Sequence, residues 1–305
     1  MATHALVDGD IVIYRAGFSV DVTLYQVYDG DEHSATPVFE TTSSKSMKEF
    51  IADNPGNWEV SRSPAQAEEV AALSAAKRCL LDIVDRSGAD DLTVLLTGKD
   101  NFRDEVATFR KYKGNRDNMR RPLFYNEIKK YLIEVWGAQV SQGHEADDEL
   151  AIQYKELKGN VSPIICSIDK DLLQIPAVHY NWVNDKYFTI DWNEGRDRFF
   201  KQVLVGDNTD NIFGCPGIGA KTADKIIDAA PYDRKWQAVL DTYRRVFTTK
   251  KLPDDMRLDD GMLVYNHWGT GKVMAVTPEQ YAEEVARLIY IKQSKEDEWP
   301  VYLKT

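Results

Sequence analysis

Nowhere in this chain do about 18 apolar residues run without a charge, the least that a membrane-spanning helix requires, so a helical membrane span is excluded. Cysteine is scarce. Cys79, Cys166 and Cys215 are odd in number and widely spaced, which excludes a disulfide framework and fits a reducing compartment. The five histidines are scattered, and no pair of His or Cys sits at a zinc-site spacing. Asp8 and Asp10 fall where the apolar stretch of a signal peptide would lie, so no secretion signal is expected and the expected location is cytoplasmic. There is no internal repeat, no low-complexity tract and no EF-hand spacing.

What is present is an ordinary globular composition of 305 residues with 43% hydrophobic content, enough for a substantial core. Short apolar runs at Ala5 to Val7, Leu92 to Leu96 and Ile164 to Ile168 predict buried strands. Between them lie helical patterns, one opened by Ser63-Pro64 and closed by Gly88, another opened by Pro122 and ending at Gly137. Strands alternating with helices predict an α/β fold with a mainly parallel central sheet flanked by helices. From about Phe199 strand signals fade, and Ala220 to Ala229, Lys235 to Val246 and Pro278 to Gln293 predict a helical C-terminal lobe. The expected division is an α/β core over 1–205 and a helical lobe over 206–305. Residues 22–63 read as an insertion, with a hairpin across Asp29-Gly30, a helix near Met47 to Ala52 and a turn at Asn54-Pro55-Gly56.

A net charge of −11 argues at first against nucleic acid, which is held mainly by cations that neutralise phosphates. The distribution says otherwise. Lys99, Arg103, Arg110, Lys111, Lys113, Arg116, Arg120 and Arg121 crowd one stretch that holds only Asp100, Asp104, Glu105 and Asp117. A solvated face is the bland explanation, but a set of metal-holding carboxylates elsewhere would itself make the total negative.

Such carboxylates stand in four groups: Asp8 and Asp10; Glu145, Asp147 and Asp148; Asp169 and Asp171; Asp207 and Asp210. Any one group taken alone is weak evidence, because acids at strand ends and helix starts are usually caps or solvated side chains. Together they say more. Asp8 and Asp169 follow strand candidates, at the strand ends where open α/β sheets bind ligands. If the strand runs on, Asp169 and Asp171 point the same way. Glu145 to Asp148 open a helix, and Asp207 and Asp210 share a face if their turn is helical. Converging carboxylates repel one another unless a cation sits among them. Oxygen donors without Cys or His suit Mg²⁺, with Mn²⁺ as a substitute, and two such ions could serve phosphodiester hydrolysis.

After Asp210 a glycine-rich turn, Gly214-Cys215-Pro216-Gly217-Ile218-Gly219-Ala220-Lys221-Thr222, leads into an amphipathic helix. Gly217 and Gly219 would admit a close ligand, the helix N-terminus offers N–H groups to phosphate, and Lys221 adds a cation. The alternative is a plain interhelix turn. The spacing before Lys221 is not that of a nucleotide-binding P-loop, and a grip on a DNA backbone is the better fit.

Read in order, these motifs resemble the 5′-nuclease superfamily: flap endonucleases, phage 5′-3′ exonucleases and the N-terminal nuclease of bacterial DNA polymerase I. The matching stretches are Leu6 to Asp10, Tyr112-Lys113-Gly114-Asn115-Arg116, Glu145 to Asp148, Ser167 to Asp171, and Val205 to Asp210 leading into Gly217 to Lys221. The resemblance implies that Asp8, Glu145, Asp147, Asp148, Asp169, Asp171, Asp207 and Asp210 hold two metal ions. It implies a basic, mobile arch or clamp over about 99–121, in which Arg103, Lys111, Tyr112, Lys113 and Arg116 meet DNA, with Lys113 and Arg116 acting on the scissile phosphate beside Asp8 and Asp169. A helix-three-turn-helix over Gly214 to Lys221, with Gly217, Gly219, Lys221 and Thr222, would hold the duplex. The chain departs from the family at Thr97-Gly98, where an acid is usual after the strand and Asp100 comes slightly later.

The expected substrates are DNA with a 5′ end, flap or nick, or an RNA–DNA hybrid, in replication or repair. No polymerase follows in this sequence, so a stand-alone enzyme beside a separate replicative polymerase is expected, in a bacterial or phage-infected cell. Two rival readings are a phosphatase with Asp8 as nucleophile, suggested by Asp8-Gly9-Asp10, and a non-catalytic protein that binds branched DNA.

Overall fold

The structure, a computed structural model, describes residues 1–30, 36–64, 68–117, 119–297 and 299. The first part of the chain forms β1 (Thr3–Asp8), α1 (Gly9–Val20), β2 (Thr23–Asp29), β3 (Phe39–Thr41), α2 (Ser44–Asp53), β4 (Trp58–Pro64) and α3 (Glu69–Ser87). The middle forms β5 (Asp91–Leu96), α4 (Phe102–Val106), α5 (Tyr125–Trp136), β6 (Gln139–Val140), α6 (Ala146–Leu157), β7 (Ser162–Cys166), β8 (Val178–Asn181) and β9 (Lys186–Thr189). Then come α7 (Trp192–Val205), β10 (Gly206–Asp207), β11 (Ile212–Phe213), α8 (Ala220–Ala229) and α9 (Lys235–Thr249). The chain closes with β12 (Met256–Asp259), β13 (Met262–Asn266), β14 (Val273–Val276) and α10 (Pro278–Ile289).

Two compact units share these elements. One comprises residues 1–10, 83–120 and 138–305, the other residues 11–82 and 121–137. The first carries a six-stranded sheet in the order β6-β5-β1-β7-β8-β9, parallel except for the β8–β9 pair. Ala5, Leu6 and Val7 are wholly buried, which explains the unbroken apolar run in β1. Asp8 lies opposite Leu95 of β5, and Val7 opposite Cys166 of β7, so the carboxyl ends of these strands stand side by side. α6 packs on them through Ala146, Leu150, Ala151 and Tyr154.

The C-terminal part of the chain is not purely helical, contrary to the expectation. β12, β13 and β14 form an antiparallel sheet. Asp260 and Gly261, both at positive φ, join β12 to β13. An Asp-Gly pair is the strongest short hairpin signal, but the flanking strands run only four and five residues, so periodicity alone hides them. A second core, including Phe199, Tyr243, Phe247, Tyr265 and Tyr281, packs α7, α9, α10 and this sheet together.

In the other unit, β2 pairs antiparallel with both β3 and β4. α2 covers the expected Met47 to Ala52 helix, capped by the Ser43 hydroxyl. Phe50 stacks on Phe39 at 4.4 Å. The connection across Asp29-Gly30 continues into 31–35, outside the described residues. Ser63-Pro64 ends β4 rather than opening a helix, and α3 starts at Glu69. Among the described residues no helix is long and apolar enough to cross a membrane.

Candidate active site

β1 delivers Asp8 to the middle of the sheet's carboxyl edge, and there it is buried. The Ser167 hydroxyl donates to Asp8 Oδ2 at 2.9 Å and accepts the Asp169 N–H at 3.0 Å. β7 has ended at Cys166, so Asp169 and Asp171 are not on a strand as the sequence suggested. Instead Asp169 Oδ1 takes the Asp171 N–H at 2.8 Å, a local turn that competes with strand extension. Asp171 then opens a 3₁₀ turn that ends at Gln174.

Glu145 and Asp147 arrive at the start of α6. Burial first, then the charges of Asp8, Asp169 and Glu145, pushes the Asp147 carboxyl well above the usual range, which places it among them. Asp207 and Asp210 come from the β10–β11 turn rather than from a helix. Asp207 Oδ1 accepts the N–H groups of Thr209 and Asp210, and Asn211 turns at positive φ. Asp171, Asp207 and Asp210 each bring a carboxylate oxygen within 4.8 Å of the others. Gln202 of α7 ties two of them, with Nε2 2.8 Å from Asp171 Oδ1 and 3.4 Å from Asp207 Oδ2. Burial, then Asp169 and Asp207, pushes Asp171 up to about 7. Three such oxygens, without His or Cys among them, form a donor set suited to a hard divalent cation.

Lys113 and Arg116 supply cations to this cleft. Lys113 Nζ lies 2.6 Å from Glu145 Oε1 and 3.7 Å from Asp210 Oδ2. Burial lowers the Lys113 pKa, but Glu145 and Asp210 outweigh it and raise it. Arg116 pairs with Asp210 through Nη2 and donates from Nε to the Thr209 carbonyl at 3.0 Å. Asn115 donates to the Asn208 carbonyl at 2.7 Å, and Asn211 to that of Lys111 at 2.9 Å. These bonds fasten 111–116, part of the stretch that the resemblance implies to be a mobile arch, to the 208–211 turn. Asn118 lies outside the described residues.

Three expected roles change. Asp148 is fully buried, and its two oxygens accept Arg103 Nη1 at 2.7 Å and Nη2 at 3.0 Å. They also accept the backbone N–H groups of Glu145 and Lys292. Burial would raise its pKa, but Arg103 and these N–H groups hold it below the usual carboxylate range. Its lone pairs are thus already taken by protein donors, which argues against its being a metal ligand. Arg103, 3% exposed, is likewise enclosed and unavailable to a DNA backbone. Tyr112 is buried too, its hydroxyl 3.0 Å from both Glu145 Oε2 and Asp210 Oδ2, where it orients carboxylates instead of facing a nucleic acid. Lys111 pairs with Asp117 at 2.6 Å at the surface.

Thr97, where the resemblance expects an acid, accepts the Ala146 N–H on Oγ1 at 3.0 Å and gives its own N–H to Asp10. It serves the start of α6 as a cap. Asp100 is exposed. Gly217 turns at positive φ, and a Cβ added there or at Gly219 would meet nothing within 4 Å, so the turn before α8 is open. Lys221 and Thr222 are exposed at the start of that helix. Ser167, Gln202 and Asn101, whose Nδ2 donates to Glu145 Oε1 at 2.9 Å, complete the cleft without a recognisable local signal of their own.

Acidic side chains thus gather at the carboxyl edge of a parallel sheet beside a basic segment, and part of the chain is similar to 5′-nucleases. Residues 57–200 match the family described as 5'-3' exonuclease, N-terminal resolvase-like domain. Among curated proteins, a 5'-3' exonuclease of Buchnera aphidicola subsp. Schizaphis graminum is 28% identical over 170 residues, covering 52% of this chain and 56% of that protein. Flap endonuclease Xni of Shewanella halifaxensis is 32% identical over 133 residues, covering 40% of this chain and 53% of that protein. The chain spans little more than half the length, at most, of these relatives. A solved structure of T5 5'-exonuclease with bound divalent metal ions (zinc) aligns with 94% of this chain and 86% of its own, at 19% identity and a TM-score of 0.51. That likeness shows a shared fold with a mainly parallel central sheet.

Proposed function

We propose that this protein is a two-metal-ion 5′-3′ exonuclease and flap endonuclease that hydrolyses phosphodiester bonds near 5′ ends of DNA or RNA primers in replication or repair. The observation that carries this reading is the convergence of Asp8, Glu145, Asp147, Asp169, Asp171, Asp207 and Asp210, from distant parts of the chain, beside Lys113 and Arg116. Like charges gathered in a partly buried cleft are unfavourable without a function for them. The donor chemistry fits Mg²⁺, which the carboxylates other than Asp148 would hold. When bound, a pair of Mg²⁺ ions would neutralise charge on the scissile phosphate and assist a water in attacking it.

The protein's own groups divide the remaining work. Lys113, now paired with Glu145, is placed to offer its ammonium to a phosphate oxygen that gains charge, with Arg116 beside it. Tyr112, Asn101, Ser167 and Gln202 orient the carboxylates. The open turn at Gly217 to Gly219, with the α8 N-terminus and Lys221, grips the duplex backbone in the manner of a helix-three-turn-helix. A phosphatase using Asp8 is disfavoured, because its carboxylate is buried and bonded to Ser167.

A 5′-labelled flap DNA incubated with and without magnesium tests the reading. A released flap-length oligomer is expected from junction cutting, and single nucleotides from exonucleolytic attack. Binding with no magnesium-dependent product would replace it with the DNA-binding reading.

A further inference from the structure

The end of α10 and the residues just beyond it, 288–292, pass through the interior. Leu288, Ile289, Tyr290 and Ile291 are all buried, and buried backbone without a helix or sheet partner must be satisfied by side chains. Arg103 donates from Nε to the Leu288 carbonyl at 2.8 Å and from Nη2 to that of Tyr290 at 2.6 Å. Gln174 donates to the Ile289 carbonyl at 3.1 Å and accepts the Ile291 N–H at 3.2 Å. Asp148 accepts the Lys292 N–H at 2.9 Å.

Two of the three clasping side chains belong to elements that carry cleft carboxylates. Asp148 sits in the first turn of α6 beside Glu145 and Asp147, and Gln174 closes the turn that Asp171 opens. Arg103, in α4, binds Asp148 directly. Leu288, Ile289 and Ile291 also line the cleft that Glu145, Asp171 and Asp210 line. The segment thus both lines the cleft and straps together two of the elements that bear its carboxylates.

We propose that the 288–292 strap sets the spacing between the Glu145/Asp147 group and the Asp171/Asp207/Asp210 group, with Gln174 and Arg103 as positioning residues that act on metal affinity through it. The inference rests on the metal-dependent reading above. Carboxylates that repel one another separate unless their supports are tied, and a strap bonded to both α6 and the Asp171 turn ties them.

The test titrates the 305-residue chain, free of DNA, with Mn²⁺ by calorimetry and records thermal melting in parallel. Gln174→Met keeps the volume but removes both strap bonds. Arg103→Lys keeps a cation opposite Asp148 but loses the fork to Leu288 and Tyr290. Each is expected to weaken Mn²⁺ binding about tenfold, with kcat at saturating metal close to that of the wild type. Tyr243→Phe, which loses a buried bond to the Val203 carbonyl in the second core, should lower Tm and leave Mn²⁺ affinity unchanged. A folded Gln174→Met or Arg103→Lys protein with wild-type affinity overturns the strap, as does a Tyr243→Phe protein that weakens Mn²⁺ equally. Wild-type protein that takes up no Mn²⁺ overturns both the strap and the metal-dependent reading.

Discussion

Lys113 holds a place in the cleft that chain position alone does not reveal. Its backbone adopts the left-handed conformation, and its N–H donates to the Asp210 carbonyl at 2.9 Å, so its ammonium is aimed at Glu145 by the fold. Lys113→Ala is expected to slow single-turnover cleavage about 100-fold or more while weakening duplex binding only modestly. Lys221→Ala, exposed at the start of α8, should do the reverse, and loss of affinity alone from both changes would refute this division. The carboxylates could be picked out in groups because Asp8 ends a strand and Glu145 and Asp147 stand at the start of a helix. The reassignment of Asp148 and Arg103 was not, because their partnership joins residues 45 positions apart and depends on burial that no local pattern encodes.

At the scale of elements, the β1–α1 junction shows how tightly the central carboxylate is placed. A Cβ on Gly9 would come within 2.8 Å of the Leu95 carbonyl oxygen and 2.7 Å of a Val94 methyl, so backbone on β5 would have to move. Gly9→Ala is expected to destabilise the protein by about 1–3 kcal/mol, read by urea unfolding, and to weaken divalent-metal binding because Asp8 moves with the strand. The parallel strands β1, β5 and β7 were readable from their apolar runs, since both faces are buried. The β12–β14 sheet was hidden because its strands run only four or five residues, too few for a period to show. The glycine turn and the helix after it were read with correct bounds at Ala220 to Ala229, because Gly219 marks the start, Pro231 follows the end and an amphipathic period runs between them.

For the whole molecule, the negative net charge becomes intelligible once part of it is gathered in one cleft. Asp171, raised to about 7 from 3.8, has a folded pKa above its unfolded value, so its contribution to stability is full below 3.8 and is lost as pH rises through about 7. Asp147 and Asp210 shift in the same direction, burial being the first cause in each. Asp148 shifts the opposite way, and the stability it contributes is lost only as pH falls below the ordinary carboxylate range. Metal-free protein is therefore expected to melt higher at about pH 6 than at about pH 8, and saturating Mg²⁺ should reduce or reverse that difference by favouring the ionised carboxylates. The most direct test of the central claim is the number of Mn²⁺ ions bound per chain, counted by electron paramagnetic resonance. The account predicts two for the wild type and fewer for Asp207→Asn; no uptake, or the same count in both proteins, would contradict it.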